Sequence, residues 1–397
     1  MKLKTLFIFG TRPEAIKLAP VIKEFKDHSQ IFETAVCVTA QHREMLDQVL
    51  DFFKIRPDFD LDGMRNHQSL SAMTSWMTKE LERVIDFFKP QLIFVQGDTT
   101  TAFCGALSGF YKNVKIAHVE AGLRSDNKFA PFPEEINRIL TDRLADFHFA
   151  PTVTAQRNLI KEGISTNIWV TGNTVIDSLF ATLKMIDNKD CEKKIVDFFK
   201  DRIPDFLPLI SPGKKLLLVT GHRRESFGWK FENICLAIKQ IAREGANISI
   251  IYPVHLNPNV RRPVYQILSG LPNVYLIEPL EYAHLVWLMK KSYLILTDSG
   301  GIQEEAPSLG KPVLIMRDVT ERPEGVEAGT AKLVGTDIED IFQSTMSLIR
   351  SREDYERMAK AKNPYGDGKS SRRIVKCIKE IHAGRSLHPY HHSSHLS

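Results

Sequence analysis

Short apolar runs alternate with amphipathic stretches along most of the 397-residue chain. In the first half, the apolar runs are rich in Val, Ile and Phe and end near glycine or a polar residue, which is typical of strands. Because such strands have both faces covered, they predict a parallel sheet with helices on each side. The predicted strands are Leu3–Phe9, Thr34–Thr39, Leu92–Gln96, Lys115–Val119 and Ile168–Thr171. The stretches between them predict helices over Pro13–Lys26, Ser69–Phe88 and Thr99–Phe110.

This alternation pauses over Asn173–Lys214, which holds a helical stretch followed by the turn-rich PDFLPLISPGKK and is interpreted as a hinge region. It then restarts and predicts a second doubly wound α/β unit. Two such units that face each other would form a cleft, and ligands of these sheets bind beyond the carboxyl ends of the strands. The second set of predicted strands is Lys215–Thr220, Ile248–Val254, Val274–Glu278, Tyr293–Thr297, Pro312–Met316 and Lys332–Val334.

Charge, cysteine content and the length of the apolar runs exclude several classes of protein. The net charge is only +5 and no block of five Lys or Arg residues occurs, so no nucleic-acid partner is expected. Five widely spaced cysteines without a CxxC pair exclude a disulfide scaffold and a compact cysteine zinc site, and they fit the reducing cytosol. Four apolar residues before Gly10 are too few for a signal peptide, and no apolar run is long enough to span a membrane.

Candidate chemistry follows the predicted strands of the first half. After the first strand, Gly10 and the helix start would present backbone N–H groups to an anion, with Arg12 and Lys17 adding charge. Asp98 and Glu120 end neighbouring strands, and Glu134 opens a helix. Crowding and burial raise the pKa values of carboxylates towards neutrality, so several carboxylates near one crevice indicate proton transfer. They are also possible metal ligands, although the neighbouring arginines already supply positive charge.

These carboxylates also have plain structural interpretations. Asp98 and Glu134 could cap helices, and Glu120 could pair with Arg124 or Arg138. Either role would leave activity largely intact when the side chain is changed.

In the second half, Ser299, Gly300 and Gly301 stand where a strand turns into a helix. Glycines there would let a diphosphate approach the backbone, and the helix dipole favours its charge. Glu305 lies one turn later, where it could accept hydrogen bonds from both hydroxyls of a ribose, and Arg322 follows the next strand. A tight turn is the simpler interpretation of Ser-Gly-Gly.

Taken together and in order, eight motifs resemble the bacterial non-hydrolysing UDP-N-acetylglucosamine 2-epimerases. The resemblance runs from Leu3 to about Ile381, and the chain departs from it only after His382. The motifs are GTRPEAIKLAP, QGDTTTA, HVEAGLR, FPEEINR, TGHRRESFG, YPVHLNP, TDSGGIQEEA and TERPEGVEAGT.

The resemblance implies a GT-B architecture of two Rossmann-like domains facing a central cleft. The first domain would comprise residues 1–172 and a returning C-terminal helix at about 365–383, within which Lys369–Ile381 is helical. The second would comprise residues 173–364 and bind UDP. Residues 384–397, rich in histidine and serine, are expected to form a disordered tail, with metal binding as the alternative.

The resemblance also implies an activity: reversible interconversion of UDP-N-acetylglucosamine and UDP-N-acetylmannosamine by elimination of UDP and its re-addition. The expected catalytic residues are Lys17, Asp98, Glu120, Glu134, Arg138 and His222. The expected UDP and sugar contacts are Arg12, His222, Leu280, Leu285, Ser299, Gly300, Gly301, Glu305 and Arg322. A regulatory UDP-N-acetylglucosamine site would use Gln41, His42, Arg65, Arg223 and His255.

Neither a cofactor nor a metal is expected. Members of the family tend to be homodimers, so a homodimer is expected here as well. The chain is further expected to be cytoplasmic and to serve the biosynthesis of cell-envelope polysaccharides.

Three alternatives to this activity stay open. A hydrolysing epimerase would release UDP and free N-acetylmannosamine, and a GT-B glycosyltransferase would share the fold but needs an acceptor site. A nucleotide-sugar sensor would bind without turnover.

Overall fold

Two parallel sheets organise the computed structural model of the chain, which describes residues 1–39, 43–63, 69–211, 213–245 and 247–384. The chain divides into two units. Unit 1 contains Met1–Ser178 and the described residues from Tyr365 onward, and unit 2 contains Leu179–Pro364.

Unit 1 is built on a seven-stranded sheet in the order β3-β2-β1-β4-β5-β6-β7, and all its pairings are parallel. Chain order reverses between β1 and β4, so the carboxyl ends of β1, β4 and β5 lie side by side. The strands are β1 (Leu3–Phe9), β2 (Phe32–Val38), β3 (Phe59–Asp60), β4 (Leu92–Gln96), β5 (Lys115–Val119), β6 (Phe147–Ala150) and β7 (Ile168–Val170).

Helices cover both faces of this sheet, as the nearly continuous apolar strands require. The rings of Phe7 and Phe94 stack 4.5 Å apart beneath Phe25, and all three side chains are fully buried. The helices are α1 (Arg12–Asp27), α2 (Arg43–Phe52), α3 (Leu70–Phe88), α4 (Thr100–Tyr111), α5 (Glu134–Leu144), α6 (Val153–Lys161) and the start of α7 (Thr174–Ile186), which continues into unit 2.

Unit 2 repeats the arrangement with six parallel strands in the order β10-β9-β8-β11-β12-β13. Its strands are β8 (Lys215–Thr220), β9 (Ile248–Pro253), β10 (Val274–Ile277), β11 (Leu294–Thr297), β12 (Val313–Ile315) and β13 (Ala331–Leu333). Its helices are α8 (Lys189–Lys200), α9 (Phe206–Leu209), α10 (Trp229–Glu244), α11 (Pro258–Leu268), α12 (Tyr282–Lys291), α13 (Gly300–Glu305), α14 (Pro323–Glu327), α15 (Ile338–Arg350) and α16 (Arg352–Ala359).

The last described helix, α17 (Ser370–His382), belongs to unit 1. The Asp177 carboxylate accepts hydrogen bonds from the backbone N–H groups of Ser370 and Ser371, at 3.1 and 2.8 Å. The backbone N–H of Asn173 donates to the Tyr365 carbonyl. These bonds attach the start of α7 to unit 1, whereas the predicted boundary fell before residue 173.

The prediction of two Rossmann-like parallel-sheet units is confirmed. Two strands were missed, β3 and β6, because the first has only two residues and the second reads Phe-His-Phe-Ala with a histidine inside it. The segment interpreted as a hinge, Asn173–Lys214, contains three helices rather than one. The predicted tail lies outside the described residues, apart from Gly384. None of the described helices is both long and apolar enough to cross a membrane.

Candidate active site

Two predicted carboxylates stand just beyond neighbouring strands of unit 1. β4 and β5 pair directly, with Gln96 opposite Val119, so the turns that carry Asp98 and Glu120 leave the sheet together. Glu120 has φ of +68°, in the left-handed region that side chains other than glycine rarely adopt. Such strained backbone persists where the surroundings impose it and is enriched at functional sites.

Asp98 faces a cation. An Arg138 guanidinium N–H donates to Asp98 Oδ2 at 2.5 Å, and the Asn137 side-chain amide donates to the Asp98 carbonyl at 3.0 Å. The interpretation of Asp98 as a helix cap is wrong, because Thr99 accepts the capping bond from the Ala102 N–H. The Asp98 carboxylate is therefore held by Arg138 of α5 and does not cap α4.

Glu120 pairs with Lys17 and not with the arginines considered from sequence. Lys17 Nζ lies 2.5 Å from Glu120 Oε2, and the Gln96 amide donates to the same oxygen at 2.5 Å. Arg124 instead pairs with the Asp142 and Glu162 carboxylates. Both Lys17 and Glu120 are buried, so this ion pair holds its geometry out of reach of bulk water.

Glu134 is the first residue of α5, one turn before Arg138. Pro133 occupies the N-cap position, so the capping interpretation of Glu134 is also wrong. Its Oε2 atom is buried and makes no hydrogen bond with any described residue. A buried carboxylate oxygen without a protein donor is a poor structural element and a good candidate for contact with a ligand.

A further carboxylate, Glu14, was not singled out from sequence. Its Oε2 accepts from the backbone N–H groups of Gly10 and Thr11 at 3.1 and 2.8 Å, and its Oε1 accepts from Thr99 Oγ1 at 2.6 Å. Burial raises the pKa of Glu14 to about 6 despite these bonds. Thr11-x-x-Glu14 is a capping box, and that pattern was the available signal. Arg12 begins the same helix and is partly buried.

In unit 2, Asp298 joins the ends of β8 and β11. Its Oδ2 accepts from the backbone N–H groups of His222 and Arg223 at 2.6 and 2.8 Å, and His222 Nδ1 lies 3.2 Å from Oδ1. Burial alone would raise the pKa of Asp298, but the bonds and charge from His222 leave it below its usual value. The half-exposed His222 ring stacks on the exposed His255 ring, with centroids 5.4 Å apart.

The Ser299-Gly300-Gly301 turn begins α13, with Ser299 at the N-cap. A Cβ on Gly300 would lie 2.4 Å from an Arg322 guanidinium nitrogen, so the missing side chain lets that cation approach the backbone. A Cβ on Gly301 would meet nothing nearer than Glu305 Oε2, at 3.8 Å. The turn thus combines backbone without side chains at two successive positions with an adjacent guanidinium, a combination that suits phosphate oxygens.

Arg322 is fixed by two carboxylates, Glu304 at 2.6 Å and Glu321 at 2.8 Å. Glu321 also pairs with Arg317 at 2.6 Å and lies 3.6 Å from an Arg223 nitrogen. Burial would raise the pKa of Glu321, but the three arginines lower it to about 2. The cluster holds Arg322 against the Gly300 backbone in one orientation.

Glu305 ends α13 and is buried, and the Tyr282 hydroxyl donates to its Oε1 at 2.5 Å. Leu280 is buried just before α12, and Leu285 lies within α12 and is partly exposed. Tyr282 was missed from sequence because it reads as one more apolar position of an amphipathic helix.

Three predicted regulatory residues, Gln41, His42 and Arg65, lie outside the described residues. The other two, Arg223 and His255, are in unit 2 beside His222. Within the described ranges, no group of three or more His, Cys, Asp or Glu side chains is arranged to hold a metal ion. Unit 1 therefore offers carboxylates set against cations, which suit proton transfer, and unit 2 offers backbone and guanidinium groups, which suit an anion.

Comparison with known proteins places this arrangement in a family. The family model described as UDP-N-acetylglucosamine 2-epimerase matches residues 23–379. A UDP-N-acetylglucosamine 2-epimerase of Yersinia pestis is 51% identical over 379 residues, which cover 95% of this chain and 98% of that protein. The crystal structure of a Neisseria meningitidis UDP-GlcNAc 2-epimerase bound to UDP-GlcNAc is 48% identical, with a TM-score of 0.89 over 95% of this chain and 100% of that one. The S. aureus MnaA–UDP co-structure is 46% identical, with a TM-score of 0.86 over 98% and 99% of the two chains. The chain belongs to the UDP-N-acetylglucosamine 2-epimerase family, and its fold is that of the GT-B-like members.

Proposed function

We propose that this chain interconverts UDP-N-acetylglucosamine and UDP-N-acetylmannosamine and keeps the nucleotide sugar intact. The observation that carries the proposal is the set of carboxylates in unit 1, in which Asp98 and Glu120 follow adjacent strands and Glu134 has a buried oxygen without a described donor. A hydride-transfer enzyme would need a nicotinamide, whereas paired acids and bases suffice for an elimination.

The reaction has to move a proton at sugar carbon 2, which is not next to a carbonyl. Departure of UDP breaks the bond between carbon 1 and the phosphate oxygen and builds positive charge at carbon 1, which acidifies the neighbouring proton. A carboxylate takes that proton, the electron pair of the C–H bond forms the double bond, and 2-acetamidoglucal results. Re-addition of UDP at carbon 1 with protonation of carbon 2 on the other face gives the epimer.

Each step has a candidate group. The diphosphate would be bound by Ser299, Gly300, Gly301 and Arg322. These groups would also stabilise the charge of departing UDP, because donors that are already fixed in place need no reorganisation during the reaction. Glu305 would accept from the ribose hydroxyls, and Leu280 and Leu285 would lie near the uracil. Arg12 and His222 would contact phosphate oxygens, and His222 is also a catalytic candidate. Asp98, Glu120 and Glu134 are the acid and base candidates, with Lys17 and Arg138 holding two of them in place.

The test is incubation with UDP-N-acetylglucosamine alone in deuterated water. The proposal expects UDP-N-acetylmannosamine that carries one deuterium at carbon 2. Free N-acetylmannosamine would indicate the hydrolysing reaction, and no change without an added acceptor would indicate a glycosyltransferase or a sensor. An epimer that keeps its original hydrogen at carbon 2 would exclude the elimination.

We further propose a cytoplasmic homodimer that supplies polysaccharide biosynthesis of the cell envelope. Free cysteines, four of them buried, support a reducing compartment. Exposed aromatic side chains near the ends of α3 and α4, namely Phe87, Phe110 and Tyr111, support an interface on unit 1. Sedimentation of the Phe110→Ser, Tyr111→Ser double variant should show monomers where the unchanged chain shows dimers.

A further inference from the structure

A buried histidine of β5 bonds two groups that can only accept. His118 is fully buried, its Nδ1 lies 2.6 Å from Asp142 Oδ1, and its Nε2 lies 2.8 Å from the Gly97 carbonyl oxygen. A carbonyl has no proton to give, and neither does an ionised carboxylate. The two ring nitrogens of His118 therefore join the Asp142 carboxylate of α5 to the backbone of the turn after β4.

The Asp142 carboxylate lies among further charged groups. Asp142 is fully buried and lies 2.8 Å from an Arg124 nitrogen, and Arg124 pairs in turn with Glu162 at 2.6 Å. Burial alone would raise the pKa of Asp142, but His118 and Arg124 hold it below its usual value.

The hydrogen-bonded His118–Asp142 pair contacts three segments, and each segment carries one candidate carboxylate. The Gly97 carbonyl, which accepts from His118, immediately precedes Asp98. Asp142 Oδ2 also accepts from the Gly122 N–H at 3.2 Å, two residues after Glu120.

The third segment is α5 itself, because Asp142 lies about two turns after Glu134 on that helix. The first two segments turn through left-handed glycines, Gly97 with φ of +68° and Gly122 with φ of +87°. Each of these two turns accepts a bond from, or donates one to, the His118–Asp142 pair.

We propose that the hydrogen-bonded His118–Asp142 pair fixes the positions of Asp98, Glu120 and Glu134 relative to one another, and that His118 is a positioning residue for proton transfer. The inference rests on the proposed function, since it assigns a task to the carboxylates of that site. His118 has no need to touch the substrate, because it acts through the backbone on either side of them.

A matched histidine separates positioning from plain core packing. His148 of β6 pairs in register with His118 and is almost as buried. Its Nε2 lies 2.8 Å from the Asp142 carbonyl oxygen, on the backbone of the last turns of α5 rather than at the strand-end turns. Replacing either histidine disturbs a similar volume of core, but only His118 bonds a turn that carries a candidate carboxylate.

The experiment compares His118→Gln, Asp142→Asn and His148→Gln in the full chain. For each, it measures kcat, KM, UDP affinity by calorimetry, and the fraction of turnovers that release 2-acetamidoglucal and UDP. His118→Gln is expected to lower kcat about 10- to 100-fold, the usual effect of losing a group that orients reacting residues. UDP affinity should stay unchanged, because the groups proposed to bind UDP belong to unit 2 or, for Arg12, to the start of α1. More glucal should escape, because elimination and re-protonation depend on different carboxylates.

Several outcomes decide the matter. His148→Gln should keep kcat per folded molecule within about threefold, and the His118→Gln, Asp142→Asn double variant should be no slower than the slower single variant, because both disable one pair. Asp142→Asn preserves the shape of the side chain and replaces His118→Gln if that variant does not fold. Equal kcat and equal glucal release in His118→Gln and His148→Gln would overturn the positioning role while the proposed function stands. An unchanged chain that makes no epimer would overturn both.

Discussion

The Lys17 ammonium lies 2.5 Å from Glu120 Oε2, although 103 residues separate the two in the chain. Lys17 belongs to the second turn of α1, and Glu120 stands just beyond β5, so the pair ties the first helix to a strand-end turn. Gln96 donates to the same oxygen from the end of β4. The carboxylate is thereby fixed from two sides, which favours a role that demands orientation.

Breaking this buried pair on one side should be costly. Lys17→Met leaves a buried carboxylate without its ammonium, and we expect the free energy of unfolding to fall by about 3–5 kcal/mol in urea titrations. The Lys17→Met, Glu120→Gln double variant should recover much of that loss, because no buried charge is left uncompensated. Neither the single nor the double variant should turn over substrate at the rate of the unchanged chain.

The matched control is Lys115→Met, which breaks the pair with Asp146 at the other end of β5. That pair has a similar distance, 2.6 Å, but the Lys115 side chain is 64% exposed, so less than about 1 kcal/mol should be lost. A double variant less stable than Lys17→Met alone would contradict the account of a buried ion pair.

Asp98→Asn and Glu134→Gln test the acid and base assignment. Substrate and epimer differ in which face of carbon 2 bears hydrogen, so at least two groups should flank the ring. Each variant should fold, bind UDP with unchanged affinity and lose about 10²–10⁴-fold in kcat, the usual share of acid–base catalysis. Damage to only one proton transfer should also release glucal and UDP.

Glu82→Gln, at an exposed carboxylate of α3, is the control and should keep full turnover. Loss of a structural role alone would have the opposite signature, lower stability with retained activity. Near-normal turnover in both Asp98→Asn and Glu134→Gln would remove these residues from the mechanism.

Much of the fold could be predicted because its strands are nearly continuous apolar runs. β1, β4, β5 and β8 were predicted to the residue. β6 was missed because His148 interrupts its apolar pattern, and only the neighbouring strands make that histidine a buried one. Two-residue β3 carries no periodic signal at all.

The candidate site, too, could be predicted only in part from the sequence. Asp98 and Glu120 could be placed side by side because both follow strands of one parallel sheet, where chain order suggests neighbours. Their partners, Arg138 and Lys17, depend on helix placement over the sheet and were not paired correctly. His118 reads as one more core position of a strand, and nothing local reveals that its ring bonds a carboxylate 24 residues away.

Glu14 should give the protein a specific pH dependence. Burial raises its pKa from 4.5 to about 6, so the folded state binds this proton more tightly than the unfolded state does. The stability from this group is fully present below pH 4.5 and is lost as the pH rises through about 6, a change of roughly 2 kcal/mol. Glu14→Gln should remove that decline, so the difference between variant and unchanged chain should shift by this amount between pH 4 and 7.

Unfolding titrations at several pH values measure this difference, and Glu33→Gln, at an exposed carboxylate of β2, provides the control. Parallel curves for Glu14→Gln and the unchanged chain would show that Glu14 has an ordinary pKa in the folded state.

The regulatory site proposed around Arg223 and His255 predicts an asymmetry between the two substrates. The His255 ring stacks on the ring of His222, one of the expected catalytic residues, so a ligand bound at His255 would lie beside His222. UDP-N-acetylmannosamine alone should turn over poorly until a trace of UDP-N-acetylglucosamine is added, and His255→Ala should weaken that activation. Full-speed turnover of the pure mannosamine compound would exclude this regulation.

The last prediction concerns Gly300 and Gly301, neighbours with opposite surroundings. A Cβ at residue 300 would come within 2.4 Å of the Arg322 guanidinium, so Gly300→Ala should displace that cation and weaken both UDP binding and the Glu304–Arg322 pair. A Cβ at residue 301 would make only an ordinary van der Waals contact, with Glu305 Oε2 at 3.8 Å. Gly301 has no left-handed φ, and replacing glycine by alanine at such a position stabilises by about 0.4–1 kcal/mol through the unfolded chain, so Gly301→Ala should fold at least as stably as the unchanged chain.

If a diphosphate lies against this backbone, the new methyl group of Gly301→Ala occupies part of its space. We therefore expect calorimetry to show UDP affinity at least about tenfold lower, which corresponds to about 1.4 kcal/mol, with thermal stability maintained. Loss of binding without loss of stability separates a ligand-approach glycine from one required by the fold. Gly301→Ala that binds UDP as tightly as the unchanged chain would show that the diphosphate does not rest on this turn, and the placement of UDP in unit 2 would then have to change.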